Sequence, residues 1–248
     1  MSSKLLRPFK LLRLLSSGPV RRAVISQARE AYHATQAEKR GIPTAQINDV
    51  VDPNTLTVAL ENFKTQHGNV TYTELLYLCM VVKAYLRPGE NFLEIGTFDG
   101  NTISNISRNV PANSTCYTID LPIGVQNLDD KYLGGDKDLV DSRGEKQLKH
   151  RGRKNIQQFY SDSTKFDFSQ VSFSGAFIDG AHHYEGVKQD TENVLRHIKR
   201  PGFVLWHDFY GYNEVAELLY EYARTYPIKR LAGTNICFLE LGSENRQP

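Results

Sequence analysis

The sequence predicts an α/β protein built on a doubly wound, mostly parallel sheet with helices on both faces. Short apolar runs rich in β-branched and aromatic residues alternate along the chain with stretches of helical periodicity, a pattern typical of parallel strands joined by helical crossovers. One run, NFLEIGTFDG at residues 91–100, ends in an acid and passes at once into a glycine-spaced turn and a helical pattern. Ligands of such sheets bind beyond the carboxyl ends of the strands, so this turn is the first candidate ligand site.

The individual elements follow from residue type and turn signals. A helix is predicted at 71–86, where Thr71 or Thr73 can cap its start and Pro88-Gly89 follows its end. After the strand at 91–95, further strands are predicted at 114–120, 155–161, 174–180, 202–208 and 235–241. Further helices are predicted at about 101–108, 184–199 and 212–225.

Composition limits the class of protein. The chain has 248 residues, 40% of them hydrophobic, which is enough for one core plus an extension. No apolar run approaches the roughly 18 residues needed to span a bilayer, so we do not expect an integral membrane protein. The balance of 30 basic and 28 acidic residues argues against binding nucleic acid by bulk charge. Cys79, Cys116 and Cys237 lie in apolar segments without metal-like spacing, as expected of reduced core thiols in a cytoplasmic protein.

Three segments depart from the central pattern, which we assign to a domain at 71–241. Residues 1–70 are predicted to be a basic N-terminal arm with a helical extension, and residues 242–248 a polar tail. The first 29 residues carry seven basic side chains and no acid, which leaves open a peripheral membrane contact, a transit peptide, or an arm that packs on the body or on a second subunit of a homo-oligomer. The long, charged segment at 121–154 is predicted to be a lid or substrate loop, with plain disorder as the alternative.

Acids end the predicted strands repeatedly. Glu94, Asp120, Asp179 and Asp208 close four of them, and Asp162 follows a fifth, so all are expected at the ligand-binding edge. For any single acid, capping of the next helix is the alternative. Asp120 has the position of an acid that accepts the two hydroxyls of a ribose, Glu94 is expected near the sugar or amino-acid end of a cofactor, and Asp162 with Ser163 is expected near an adenine edge.

The glycine turn distinguishes two cofactor classes. A dinucleotide site needs G-x-G-x-x-G, in which the second glycine admits the pyrophosphate. Here the turn from Gly96 to Gly100 reads GTFDG, with Phe98 at the second glycine's place and Asp99 adding negative charge. A pyrophosphate is therefore disfavoured, whereas a cationic sulfonium with a free amino group is compatible.

The patterns EIGTFDG and YTIDL resemble motif I and the second-strand acid of class I S-adenosylmethionine-dependent methyltransferases. IDGAHHYEGVKQD and PGFVLWHDF further resemble the branch that includes cephalosporin-pathway and macrolide-sugar (macrocin-type) O-methyltransferases. The resemblance covers residues 71–241 and implies a Rossmann-like, seven-stranded sheet. It implies S-adenosylmethionine binding by Glu94, Gly96, Thr97, Gly100, Asp120 and Asp162, to which we add Ser163 and Asp179.

In metal-dependent members of that branch, acids matching Asp179 and Asp208 bind magnesium, and a histidine matching His182 is the base. His207 stands where some relatives have an acid, so we count it with Asp179 and Asp208 as a candidate Mg²⁺ ligand. The residues themselves support this, because the carboxylates of Asp179 and Asp208, which close two predicted strands, can share one hard cation. His182, three residues past Asp179, can remove a proton; the alternative is a turn histidine bonded to backbone. His207 is left open as a ligand, a supporting group or another base.

The sequence thus predicts an S-adenosylmethionine-dependent O-methyltransferase, assisted by Mg²⁺ and a histidine base. Its acceptor is predicted to be a hydroxyl of a small polar molecule, such as a sugar or a glycosylated metabolite. Two alternatives stay open: a non-catalytic cofactor-binding or scaffold protein of the same fold, and an NAD-dependent oxidoreductase, which Phe98 disfavours.

Overall fold

The structure, a computed structural model, describes residues 19–61, 70–122, 150, 152–211 and 213–243, without the side chains of residues 19–24 and 26. Residues 1–18 and 62–69 of the predicted N-terminal region, 123–149 and 151 of the predicted loop, and 244–248 of the predicted tail lie outside the described residues. The described helices are α1 (Pro19–Lys39), α2 (Tyr72–Tyr85), α3 (Asn101–Ile106), α4 (Tyr184–His197) and α5 (Asn213–Tyr222). The described strands are β1 (Thr44–Ala45), β2 (Phe92–Ile95), β3 (Cys116–Asp120), β4 (Ile156–Tyr160), β5 (Gly175–Ile178), β6 (Gly202–Trp206), β7 (Lys229–Leu231) and β8 (Cys237–Leu241).

One mixed sheet has the order β1-β7-β8-β6-β5-β2-β3-β4. All neighbouring strands are parallel except β8, which runs antiparallel to both β6 and β7. The predicted fold class, doubly wound and mostly parallel, is confirmed. The predicted strand number was one too low, because the two-residue β1 pairs with β7 and makes eight strands in the described part.

The chain changes direction across the sheet at β2. From β2 it proceeds outward to β3 and β4, then returns to the other side of β2 as β5. The N–H of Asp179, just past β5, donates to the carbonyl of Ile95 at 2.9 Å. In open α/β sheets the crevice at such a switch point is the usual ligand site, and here it is lined by the ends of β2 and β5.

Buried strand residues alternate between two apolar layers. Leu93, Ile95 and Ile178 pack in one cluster with residues of α4 and α5, whereas Phe92 and Phe177 pack in a second cluster with residues of α2 and α3. This follows from the period of two in a strand, which sends successive side chains to opposite faces. Because both faces are covered, β2 and β5 are buried at every position, and all of their residues except Glu94 are apolar.

Helix α1 packs on the body beside the loop that follows β6. Arg230, whose side chain is fully buried, forms an ion pair with Glu30 of α1, and its guanidinium lies 5.3 Å from the ring centre of Tyr210. His33 of α1 stacks on the same ring with centroids 4.1 Å apart. The helical part of the extension therefore contacts the chain two residues past Asp208.

None of the described helices is long and apolar enough to cross a membrane. Cys79, Cys116 and Cys237 are all buried and free.

Candidate active site

The glycine turn after β2 touches the end of β5. Gly96 has a φ of +94°, and a Cβ built there would lie 2.0 Å from the carbonyl oxygen of Asp179. Gly100 has a φ of +74°, and its Cβ would lie 2.0 Å from Nδ1 of His150. Both positions combine a left-handed backbone with a close approach, so only glycine fits. The glycines of this turn therefore make room for neighbouring parts of the protein, while their role beside a ligand stays a prediction.

Asp120 is tied to the same turn. Its carboxylate accepts hydrogen bonds from the N–H of Phe98 and the N–H of Leu121, each at 2.8 Å. Phe98 itself has a φ of +47°, an uncommon conformation for a residue with a side chain, and the Asp120 bond helps to hold it. The acid at the end of β3 thus shapes the glycine turn as well as facing the ligand edge.

Glu94 is fully buried below the turn. The hydroxyl of Thr118 donates to Oε2 of Glu94 at 2.6 Å, and the hydroxyls of Thr118 and Thr97 are also 2.6 Å apart. Burial raises the pKa of Glu94 well above its usual value, and nearby Asp179 and Asp120 raise it further, although the Thr118 hydrogen bond opposes this. A neutral carboxyl at this position can donate a hydrogen bond as well as accept one.

Strand alternation accounts for the face of the sheet on which Asp120, Asp179 and His207 lie. Phe177 belongs to the layer of α2 and α3, so Asp179, two residues later, points to the same face. His207 comes two residues after Leu205, which belongs to the same layer. Asp120 comes two residues after Thr118, and Thr118 pairs with Glu94, which lies on the same face as Phe92. Because α2 precedes β2 and runs back along the sheet, its first turn lies above this edge.

Two histidines and two aspartates meet there. His182 Nε2 lies 2.8 Å from Asp208 Oδ2. His207 Nδ1 lies 3.1 Å from Asp179 Oδ1 and 3.4 Å from Asp208 Oδ2. Asp208 has a φ of +59°, a strained conformation of the kind that often marks functional sites. The structure therefore brings together all the candidate residues for the metal and for the base.

The cluster has the electrostatics of a paired ionic site. Burial works against the charge of Asp208, but its contacts with His182 and His207 dominate and hold its pKa far below the usual value. Burial instead raises the pKa of Asp179, in spite of His207 beside it. Burial would lower the pKa of His207, yet the surrounding carboxylates raise it well above the usual value. Charge in this cluster is therefore shared between acids and imidazoles.

The cluster also fits a divalent cation. One ligand atom from each of Asp179, His182 and Asp208 can be chosen so that all three lie within 4.8 Å of one another. Carboxylate oxygens suit Mg²⁺, and one imidazole nitrogen in the set is a donor that Mn²⁺ or Fe²⁺ also accepts. His182, rather than His207, completes this group of three.

Asp162 and Ser163 follow β4 at the same edge, where the N–H of Ser161 donates to the carbonyl of Asp120 at 2.9 Å. Asp162 caps the short 3-10 helix Ser163–Lys165, accepting from the N–H of Thr164 at 3.0 Å. Its other oxygen lies 2.9 Å from Lys165 Nζ. Asp162 is therefore a helix cap, which was the alternative for any single acid at a strand end. It also follows β4, the neighbour of the strand that carries Asp120.

Two buried acids near the site were not predicted from the sequence. Glu74, in the first turn of α2, is 2% exposed and lies 3.3 Å from His207 Nε2. Asp190, in α4, is completely buried, and neither of its carboxylate oxygens has a hydrogen-bond partner among the described residues. The capping-box spacing of Thr71 and Glu74 could have drawn attention to Glu74. No sequence pattern indicates that Asp190 is buried, which only the packing of α4 shows.

Asp190 predicts a pH dependence of stability. Burial raises the pKa of Asp190 to about 7. The nearby side chain of Ser163 acts to lower this pKa, although it makes no hydrogen bond of normal geometry with the carboxylate. The folded state then keeps this proton up to about pH 7, while the unfolded chain loses it near pH 4, so stability falls as the pH rises between those values. We expect the free energy of unfolding of Asp190→Asn, relative to wild type, to increase by about 2–3 kcal/mol from pH 5 to pH 8.

Urea denaturation at both pH values measures this change. Asp167→Asn is the matched control, because Asp167 is an exposed cap and its substitution should leave the difference between pH 5 and pH 8 unchanged. An Asp190→Asn variant whose stability follows the wild type across this range would show that Asp190 is ionised in the folded protein.

Residues 93–209 match a family model described as a methyltransferase domain. Three solved structures are similar to this chain at low sequence identity. The apo structure of CalS11, TDP-rhamnose 3'-O-methyltransferase, is 14% identical, with 94% of this chain and 99% of that chain covered and a TM-score of 0.49. TomG from Streptomyces achromogenes, in complex with SAM, is 15% identical, with 76% and 94% covered and a TM-score of 0.47. The O-methyltransferase NovP is 12% identical, with 62% and 72% covered and a TM-score of 0.46.

No curated protein matches the sequence significantly. The family match covers β2 to the end of β6, with the glycine turn, the strand-end acids and both histidines of the cluster. Residues 93–209, just under half of the chain, are therefore similar to a methyltransferase domain.

Proposed function

We propose that this protein is an S-adenosylmethionine-dependent O-methyltransferase that acts on a hydroxyl group of a small polar metabolite, such as a sugar or a glycosylated compound. The observation that carries the proposal is the 2.8 Å contact between His182 and Asp208, next to Asp179, at the sheet edge that also holds the glycine turn. A base oriented by a carboxylate beside a cofactor turn is what methyl transfer to a hydroxyl needs.

The cofactor would lie against the turn between Gly96 and Gly100. The missing Cβ of Gly96 lets this turn pack directly on the end of β5, which forms one wall of the crevice. Asp120 would accept the ribose hydroxyls with its carboxylate oxygens. The remaining candidate contacts are Glu94, Thr97, Asp162, Ser163 and Asp179. When bound, S-adenosylmethionine supplies a methyl group that is already activated on sulfur.

His182 would act as the general base. His182 lies four residues past the end of β5. Its Nε2 contact with Asp208 would hold the imidazole in one orientation and stabilise the positive charge that forms when the ring takes up a proton. The main remaining task of the protein is to align the acceptor oxygen with the methyl carbon, which is a matter of proximity and orientation.

Asp179 and Asp208 would hold Mg²⁺, with His182 or His207 as the neighbouring imidazole. A divalent cation at that position would supply a positive charge that lowers the pKa of a hydroxyl. The choice of imidazole matters, because a histidine bound to a metal through its reactive nitrogen cannot also remove the acceptor's proton.

The setting of the protein is proposed from its sequence. The free, buried thiols are consistent with the cytoplasm, and the near-neutral net charge of +2 offers no footprint for nucleic acid. The basic first 29 residues suit a peripheral contact with an anionic membrane, and the helical extension suits a homo-oligomer interface. The scaffold alternative keeps cofactor binding but lacks turnover.

Calorimetric titration of S-adenosylmethionine and, separately, NAD into the full chain tests the cofactor class. We expect micromolar binding of S-adenosylmethionine, no binding of NAD, and at least tenfold weaker S-adenosylmethionine binding by Asp120→Asn, since a ribose contact and a support of the turn are both lost. Asp167→Asn, the exposed-cap control, should bind as wild type does. NAD binding would contradict the proposal, and binding of neither ligand would leave the fold but remove the enzymatic role.

A further inference from the structure

We infer that Glu74 of α2 is a positioning residue, which holds the imidazole of His207 so that its Nδ1 faces Asp179 and Asp208. This inference deepens the proposed function and rests on it. It makes His207 a bridge between buried carboxylates, rather than the base or a metal ligand, and it leaves His182 as the imidazole that faces the acceptor.

The Glu74 carboxylate is itself held rigidly. Its Oε2 accepts from the N–H of Thr71 at 2.7 Å, and its Oε1 accepts from the N–H of Asn235, just before β8, at 2.7 Å. The residue is 2% exposed. Two backbone donors on different parts of the chain therefore fix the carboxylate before it meets the imidazole.

His207 then lies between three acids. Its Nε2 is 3.3 Å from Glu74 Oε2, an ion-pair contact rather than an aligned hydrogen bond, and its Nδ1 is 3.1 Å from Asp179 Oδ1. The ring of Phe177 lies edge-on to the imidazole with centroids 6.1 Å apart. Each ring nitrogen therefore faces a carboxylate oxygen, so the ring is held in one orientation between carboxylates from α2 and from the ends of β5 and β6.

Capping alone does not account for Glu74. The capping box of this helix uses only Oε2 of Glu74, which accepts from the N–H of Thr71. The second oxygen, Oε1, accepts from the N–H of Asn235 and has no part in capping. Capping glutamates are normally at the surface, where the backbone donor is also near water, whereas Glu74 is buried and directed at the end of β6. A buried acid so close to an imidazole fits the partner that fixes a histidine ring, a role whose loss commonly weakens metal affinity or activity by 10- to 100-fold in metal sites.

The wild-type protein provides the first test. In ¹⁵N-histidine-labelled protein, with the two ring-nitrogen signals of His207 assigned by comparison with His207→Gln, we expect a single set of ring signals, and nuclear Overhauser contacts from the ring protons to the Phe177 ring, as one fixed orientation requires. Several sets of His207 ring signals, or no contact with Phe177, would overturn the inference without any variant of Glu74.

Glu74→Gln and Thr71→Ala form a matched pair for the second test. Glu74→Gln keeps the shape of the side chain and one acceptor oxygen but removes the charge that faces His207. Thr71→Ala removes the hydroxyl that accepts from the N–H of Glu74 at 3.3 Å, so it weakens the same capping box and leaves the acid in place. We expect Glu74→Gln to shift both ring signals of His207 and to weaken Mn²⁺ binding, measured by calorimetry, about tenfold.

Thr71→Ala should lower the melting temperature but leave the His207 signals and the Mn²⁺ affinity unchanged. Equal effects of both variants on the His207 ring, or no effect of Glu74→Gln, would reduce Glu74 to a structural cap. These readouts need no turnover, so they stay separate from the proposed function. If the wild type binds no Mn²⁺, the metal-assisted mechanism fails and the ring signals alone decide the role of Glu74.

Discussion

Replacing Gly96 by alanine is expected to lower the free energy of unfolding by about 4 kcal/mol or more and to abolish S-adenosylmethionine binding. The new Cβ would lie 2.0 Å from the carbonyl oxygen of Asp179 and 2.9 Å from the Cα of Gly180, and the φ of +94° adds strain. These neighbours are backbone atoms, so no side chain can rotate away. The turn and the end of β5 would have to separate, which displaces Asp179. Urea denaturation and calorimetry measure the two losses.

Gly89→Ala is a control that separates the steric collision of the new Cβ from the strain of a positive φ. Gly89 also has a positive φ, +84°, but a Cβ there would meet nothing within 4 Å. We therefore expect it to cost only the left-handed backbone penalty of about 1–2 kcal/mol and to leave S-adenosylmethionine binding intact. If both variants lost the same stability, the close packing of the glycine turn on Asp179 would be wrong.

Replacing His182 by glutamine is expected to lower kcat for methyl transfer by about 10²- to 10⁴-fold, the usual contribution of a general base. Affinity for S-adenosylmethionine should stay within about twofold, because the ring faces Asp208 rather than the glycine turn, and removing a group that acts mainly in the transition state lowers kcat rather than ground-state binding. Steady-state kinetics with a hydroxyl acceptor, together with calorimetry, measure both quantities.

His197→Gln is the control for that variant. His197 ends α4, where its Nδ1 is 2.8 Å from the carbonyl of Asn193 and its ring stacks on Phe168, so its loss should leave kcat unchanged. Full activity of His182→Gln would contradict the assignment of the base. An equal loss in both variants would indicate that kcat responds to general destabilisation of the protein.

The fold class followed from local sequence because a strand buried on both faces needs an apolar run, whatever its partners are. The run at 174–180 illustrates the limit of that signal, since β5 ends at Ile178 and Asp179 and Gly180 already belong to the turn. Strand pairing is not local. Thr44–Ala45 and Arg230–Leu231 pair as β1 and β7, and the short runs carry too few apolar residues to be predicted singly.

The candidate site divides in the same way. The sequence by itself placed Asp179, His182 and Asp208 at one edge of the sheet, because parallel strands bring their carboxyl ends to one edge and the acids stand at those ends. Only the tertiary structure decided the partners of His207. Glu74 reaches the ring from a helix that precedes β2, and Asn235 supports Glu74 from a segment 161 residues later. Neither contact has a periodic signature, since both depend on how α2 and β8 pack against the end of β6.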